Sequence, residues 1–236
     1  MSVYVLIATI PTRKPFCERL LRELTKQTRQ PDGVILMLDG YGEAPAPPCP
    51  LPVAREFRTA KLSGAGQRWL RLGELDPDDI VINVDDDAVL VQAPDLIRAL
   101  VETVEREKGA AAAMGRTARG QPAPPGPWAR GPLLHAAGCG LAVRAKYLEG
   151  LQSFAQEVKA NGGPDCLGPG GDDDGLVSAF LWRQGVVIRH APTGNVTQAP
   201  GAQKALHPAA RRARIAALNA QKALLKKATG WPWPVT

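Results

Sequence analysis

Ile80-Val81-Ile82-Asn83-Val84 runs directly into Asp85-Asp86-Asp87, and that join decides how the chain is read. A short β-branched apolar run predicts a buried strand. Three carboxylates at its end repel one another, so the chain keeps them there only if water solvates them or a cation sits among them. A hard divalent ion shared between one or two carboxylates and the phosphates of a substrate is such a cation. The plainer reading is a solvated acidic turn leading into a helix near Asp95.

Upstream, Val3 to Ala8 reads as a strand. A helical pattern follows from Pro15, with Leu20, Leu21 and Leu24 on one face and an end near Thr28, and a second strand from Val34 to Leu38 stops at Asp39-Gly40. Strand, helix and strand with short links predict a βαβ unit and a parallel sheet. Residues 44 to 53 are dense in proline and read as a surface loop. A helix is expected from about Ala65 to Leu75, broken by Asp76-Pro77-Asp78-Asp79, and another from about Pro94 to Lys108. The triple aspartate therefore falls at the carboxyl end of a strand, where open α/β sheets bind ligands.

Downstream, the proline- and glycine-rich stretch from Arg116 to Pro132 predicts a long loop of the lid or substrate-binding kind. Ala136 to Val143 suits a strand with close backbone approach at Gly138 and Gly140, and a helix is expected from about Ala145. Gly168-Pro169-Gly170-Gly171 precedes a second acidic triplet, Asp172-Asp173-Asp174, which opens a helical stretch through Trp182. Carboxylates in a first turn serve as ordinary caps, favoured by the helix dipole. Gly185 closes that helix, and Val186 to Ile188 reads as a strand. Pro208 to Thr229 predicts a basic helix carrying Arg211, Arg212, Arg214, Lys222, Lys226 and Lys227. Arg211, Lys222 and Lys226 fall near the face of Ile215, so charge and apolar surface are poorly segregated for a membrane-surface helix. The indoles of Trp231 and Trp233 can pack onto the domain or stack on a base or sugar.

A chain of 236 residues with formal charge +6 fits one large domain with acidic partners such as phosphates, nucleic acid or an anionic surface. No apolar stretch approaches the roughly 20 residues of a bilayer span. The apolar start lacks a basic leader and reads as a first strand, not a signal peptide. Cys17, Cys49, Cys139 and Cys166 are widely spaced, which indicates neither a zinc site nor a disulfide framework and makes a reducing cytoplasm the expectation.

The opening Ile10-Pro11-Thr12-x-Lys/Arg-type turn after the first strand, the strand to Leu38-Asp39-Gly40, the triple aspartate and Gly171-Asp172-Asp173-Asp174-Gly175-Leu176 together resemble the family-2-like inverting nucleotide-sugar glycosyltransferases of the GT-A fold. That large family includes cellulose and hyaluronan synthases. The resemblance spans roughly residues 3 to 192. It implies an α/β fold with a mixed, mainly parallel Rossmann-like sheet flanked by helices, in a single domain with a C-terminal helical extension. Residues 1–110 would form the nucleotide-sugar half, 111–200 the acceptor half, and 201–236 the basic helix and Pro/Trp tail.

The same resemblance implies roles. Asp85 and Asp87 would form the D-x-D, with Asp87 the direct ligand of Mn²⁺ or Mg²⁺, Asp85 nearer the nucleoside or ribose, and Asp86 between them. Asp172-Asp173 would stand where the family carries Glu-Asp, making Asp173 the base. Pro11, Thr12, Arg13, Asp39 and Arg68 would line the nucleotide, a UDP-sugar being the first expectation. The family's downstream histidine ligand has no counterpart at 195–198, and the candidates are His207 and, behind it, His190. Leu38 stands where the family has a further acid before Asp39-Gly40, and its asparagine after the glycine-rich turn is replaced near Trp69. The chemistry is consistent with these roles, because sugar transfer needs the leaving diphosphate neutralised and a base for the acceptor hydroxyl.

Two other readings compete. Ser63-Gly64-Ala65-Gly66-Gln67-Arg68 loosely resembles the glycine-rich phosphate loop of a sugar-phosphate nucleotidyltransferase, although it follows the second strand and not the first. A non-catalytic nucleotide-binding or interaction module is the other. The acceptor stays open among glycan, lipid-linked glycan, protein and nucleic acid. The arginines of the 116–131 loop and the C-terminal helix make DNA, as in phage base-modifying enzymes, a specific hypothesis, with the host cytoplasm as location in that case.

Overall fold

The structure, a computed structural model, describes residues 1–72, 75–117, 122–123, 132–136, 139–199 and 208–232. β1 (Val3–Thr9), α1 (Lys14–Leu24) and β2 (Gly33–Leu38) form the expected parallel unit, in register from Tyr4 opposite Gly33 to Thr9 opposite Leu38. One 3₁₀ turn, Pro11–Arg13, joins β1 to α1. α1 stops at Leu24 and not near Thr28, and Gln27 beyond it bonds the Ala93 carbonyl and the Ile97 N–H.

β3 (Val53–Arg58) adds a parallel edge to β2. No such strand was expected after the proline loop: the residues of Val-Ala-Arg-Glu-Phe-Arg are exposed or half-buried, so no apolar run marks it. β4 (Ile80–Val84) lies on the other side of β1, parallel and wholly buried. β5 (Ala88–Gln92) leaves the aspartate turn and later pairs with β12. α2 (Leu96–Glu107), β6 (Ala110–Ala112), β7 (Gly115–Thr117), β8 (Pro122–Ala123), β9 (Pro132–Ala136) and β10 (Cys139–Arg144) follow. The chain ends with α3 (Leu151–Ala160), α4 (Asp173–Arg183), β11 (Ile188–His190), β12 (Asn195–Gln198) and α5 (Pro208–Thr229). A 3₁₀ turn at Ala145–Leu148 precedes α3, where a continuous helix from Ala145 was expected.

The main sheet runs β3-β2-β1-β4-β10-β6-β11-β9-β7-β8. It is parallel from β3 to β4 and again between β6 and β11, with β10 antiparallel between the two parallel parts. Alternate residues of each strand face opposite layers. Val3, Val5 and Ile7 join Ile80, Ile82 and Val84 beneath α1 and α2. Leu6, Val81, Leu141 and Val143 face α3 and α4 with Leu225 and Trp231. Trp231 is fully buried there, so packing is its role, whereas Trp233 lies outside the described residues. Among the described residues no helix is long and apolar enough to cross a membrane.

The register of β10 shifts between Cys139 and Leu141, where Gly140 has φ +122°. A side chain there would press on the Ala113 Cβ at 3.0 Å, the close approach expected of this glycine. The bulge re-aims the strand end and sets the Cys139 thiol 4.0 Å from Asp85 Oδ2.

Candidate active site

Residues 85–87 turn off the end of β4, and each carboxylate meets a different environment. Asp86 and Asp87 share Arg13, whose Nη2 lies 2.8 Å from Asp86 Oδ1 and 2.6 Å from Asp87 Oδ2. Arg13 is brought there by the 3₁₀ turn after β1, while Pro11 and Thr12 beside it are exposed. Asp86 is pushed up to about 6 by burial, with Arg13 and the Thr9 hydroxyl opposing. Burial raises Asp87 as well, again against Arg13. Asp86 Oδ2 and Asp87 Oδ1 are buried with no hydrogen-bond partner among the described residues.

Asp85 turns to the other side. Its Oδ1 accepts from Arg68 Nη1 at 3.1 Å, and Arg68 Nη2 donates to Asp173 Oδ2 at 2.9 Å. Trp69 Nε1 donates to the same Asp173 oxygen at 3.0 Å. Arg68 is 2% exposed; burial works against its charge, but Asp173, Asp85 and Asp174 outweigh it and keep the guanidinium protonated. One buried cation thus joins the two acidic triplets.

Arg68 can reach both because its segment is not the α-helix expected over 65–75. Ala65–Leu70 is 3₁₀, and it is pressed against the 166–171 loop. Gly64, at φ +102°, touches Gly168 so closely that a Cβ would overlap its carbonyl, and a Cβ on Gly66 would come within 2.7 Å of Leu167 Cα. Gln67 Nε2 bonds the Leu167 carbonyl at 3.2 Å. The segment starts from Asp39, whose carboxylate accepts from the Thr59 hydroxyl, the Ser63 hydroxyl and the N–H groups of Ser63 and Gly64 at 2.7–3.0 Å. Burial would raise Asp39, but these bonds from Ser63, Thr59 and Gly64 win and hold it below the usual carboxylate range. Asp39, expected at the nucleotide, has its carboxylate engaged in shaping the wall.

Asp172 caps α4 by accepting from the Gly175 N–H at 3.2 Å. α5 returns to this point: Gln221 Oε1 accepts from the Asp172 N–H at 2.9 Å, and Lys222 Nζ lies 3.5 Å from Asp172 Oδ2. Burial raises Asp172 in spite of Lys222. Asp174 is raised well above the usual range by burial and by Asp173 and Asp85, and its Oδ1 has no partner among the described residues.

Ion pairs thus link Asp85 to Asp173 through Arg68 and Asp86 to Asp87 through Arg13, and Asp172 adjoins Asp173 at the head of α4. His207 lies outside the described residues, and His190 ends β11 in the sheet. Trp69, Asp174, Gln221 and Lys222 were not anticipated as site residues. Asp174 had a signal in its triplet, whereas the α5 pair sits far along the chain with no motif. Among the described residues no three His, Cys, Asp or Glu side chains enclose a cation by themselves. The orphaned oxygens of Asp86 and Asp87 nevertheless fit a hard ion that completes its shell with phosphate and water.

No protein-family profile matches the sequence, and none of the curated proteins does. Among solved structures, glucosyl-3-phosphoglycerate synthase from Mycobacterium tuberculosis in complex with phosphoglyceric acid is similar over 98% of this chain and 81% of that one, at 16% identity and TM-score 0.56. The 2-C-methyl-D-erythritol 4-phosphate cytidylyltransferase of Francisella tularensis is similar over 86% of this chain and 96% of that one, at 12% identity and TM-score 0.47. With its mixed sheet, flanking helices and the first of these likenesses, the chain has a GT-A-type, Rossmann-like α/β fold.

Proposed function

We infer that the chain is a metal-dependent, inverting glycosyltransferase that moves a sugar from a nucleoside-diphosphate sugar to an acceptor hydroxyl. The observation that carries this reading is the bridge Asp85–Arg68–Asp173, which puts the strand-end carboxylates and the head of α4 at one place. A donor site and an acceptor-activating carboxylate have to be neighbours for such a transfer. The mycobacterial synthase of similar fold is itself named for glucosyl chemistry.

In this reading Asp87, with Asp86 beside it, would hold Mn²⁺ or Mg²⁺ directly, while Asp85, paired with Arg68, stands nearer the nucleoside. The ion, when bound, neutralises the leaving diphosphate as a Lewis acid. The Pro11–Arg13 turn and the wall built on Asp39 border the nucleotide. Asp173 receives the acceptor's proton: Arg68 and Trp69 occupy its Oδ2, leaving Oδ1 for the hydroxyl. Attack from the side opposite the diphosphate inverts the anomeric carbon. Residues 1–110 supply the donor half and 111–200 most of the acceptor half, with α5 bracing the base-bearing helix.

A nucleotidyltransferase phosphate loop at 63–68 is disfavoured, because the N–H groups of Ser63 and Gly64 are spent on Asp39. Calorimetry with UDP-, GDP-, CMP- and dTDP-sugars, with and without Mn²⁺, tests the donor reading. Binding that ignores both metal and Asp87→Asn defeats it. Asp173→Asn should keep donor binding and lose transfer. The acceptor screen pairs duplex DNA, where binding should weaken steeply with salt, with glycans and with phosphoglyceric acid, the molecule bound in the similar structure.

A further inference from the structure

Two arginines pair with the carboxylates of the aspartate turn, and they hold them differently. Arg68 is buried and gives one terminal nitrogen to each of two carboxylates. Arg13 is about one-third exposed along its side chain (34%) and gives a single nitrogen, Nη2, to both Asp86 and Asp87. Its Nε is buried with no partner among the described residues. The planar two-pronged grip that makes arginine–carboxylate pairs strong is therefore unused. Each aspartate also keeps one buried oxygen, Asp86 Oδ2 and Asp87 Oδ1, without a hydrogen-bond partner among the described residues. Both carboxylates are nearly fully buried, at 2% and 6% exposed. One shared monovalent cation leaves this pair under-neutralised, with two of its four carboxylate oxygens unpartnered among the described residues.

We propose that Arg13 is an exchangeable counter-cation: it occupies Asp86 and Asp87 in the free protein, yields them to a divalent ion, and closes on the diphosphate that arrives with that ion. This rests on the nucleotide-diphosphate reading of the site and adds an order of events to it. A divalent ion brings twice the charge and uses the orphaned oxygens. The released guanidinium is a planar fork that matches phosphate oxygens, and it stands on an exposed turn at the carboxyl end of β1. The ion alone must break two ion pairs without replacing Arg13's partners, so it binds poorly. With a diphosphate present Arg13 regains partners, and the two ligands help each other, a coupling that is reciprocal by linkage. Arg68 cannot take this part, since leaving its place would strand Asp85 and Asp173.

Mn²⁺ binding to the full chain, measured by calorimetry alone and with saturating UDP or inorganic pyrophosphate, tests the exchange. Arg13→Gln and Arg13→Met should each bind Mn²⁺ alone at least about tenfold tighter than the wild type, within the usual range of coupling between ligands. Arg13→Lys, which keeps the charge, should stay within about threefold of the wild type on the same scale. The gain in Mn²⁺ affinity from UDP or pyrophosphate should shrink at least about tenfold in the Gln and Met variants. If either folded variant, checked by circular dichroism, binds Mn²⁺ alone no tighter than the wild type, the exchange is overturned. Enhancement by pyrophosphate but not UDP supports the exchange while defeating the nucleotide reading. Enhancement by neither overturns the transfer of Arg13 to a diphosphate.

Discussion

Arg68 Nη2 donates to Asp173 Oδ2 at 2.9 Å while Nη1 donates to Asp85 at 3.1 Å, so one buried guanidinium is the shared counter-charge of both acidic triplets. Removing it leaves Asp173 and Asp85 without their cation. Breaking a buried pair from one side costs about 3–5 kcal/mol, and with Asp85's side chain 30% exposed the lower end applies here. Arg68→Met should lose about 3 kcal/mol in urea unfolding. Arg68→Lys should recover less than half of that, because an ammonium cannot span two carboxylates as a guanidinium fork does.

Asp86 gives the free protein a pH dependence of definite sign. Its folded value of about 6 lies above the ordinary 3.8, and burial is the main cause. The native state therefore holds a proton that the unfolded chain has released between those values, and this contribution to stability falls as pH rises through 6. Asp86→Asn mimics the neutral form. It should be more stable than the wild type by about 2 kcal/mol at pH 8 and indistinguishable near pH 4. Equal denaturation midpoints at both pH values count against the assignment.

Gly64 combines φ +102° with direct contact on the Gly168 backbone. Alanine there meets both backbone strain and a carbonyl that cannot move freely, costing of order 1–3 kcal/mol for the strain alone. Gly64→Ala should also weaken the Asp39–Gly64 bond and shift Arg68, so donor affinity should fall along with thermal stability. Gly42→Ala is the control: φ is +51° but nothing lies within 4 Å of the added Cβ.

The parts of this fold legible in the sequence are those where one local signal suffices. β4 is an unbroken β-branched run, and the aspartates follow it in sequence as they do in space. α4 begins at Asp173, where the acidic first turn places it. β3 and β6 escape notice for opposite reasons, the first an edge strand with charged residues and the second three alanines of low strand preference buried on both faces. The 65–70 segment carries helical spacing, but the packing of Gly64 and Gly66 on 167–168 overrides it. Within the site, the aspartates announce themselves by crowding. Which donor answers which carboxylate depends on contacts between distant segments, as with Arg13 and Asp86 or Trp69 and Asp173, and no spacing rule reports those.

Lys222 shows the same limit, because its partner Asp172 lies on a distant element. Its ammonium, only 12% exposed along the side chain, lies 3.5 Å from Asp172 Oδ2 and offsets part of the burial that raises Asp172. Lys222→Met removes that offset, so the folded-state value of Asp172 should rise further. A group raised in the folded state costs stability as it ionises. The variant's deficit should therefore grow with pH, to about 1–2 kcal/mol at pH 7.5 on the scale of a charged hydrogen bond, and shrink toward zero near pH 4. Gln221→Ala deletes the neighbouring bond to the Asp172 N–H and should cost a pH-independent amount of about 1 kcal/mol. Urea unfolding of both variants at the two pH values separates them. A deficit of Lys222→Met that does not change with pH would mean that the lysine braces α4 by packing and not by its charge.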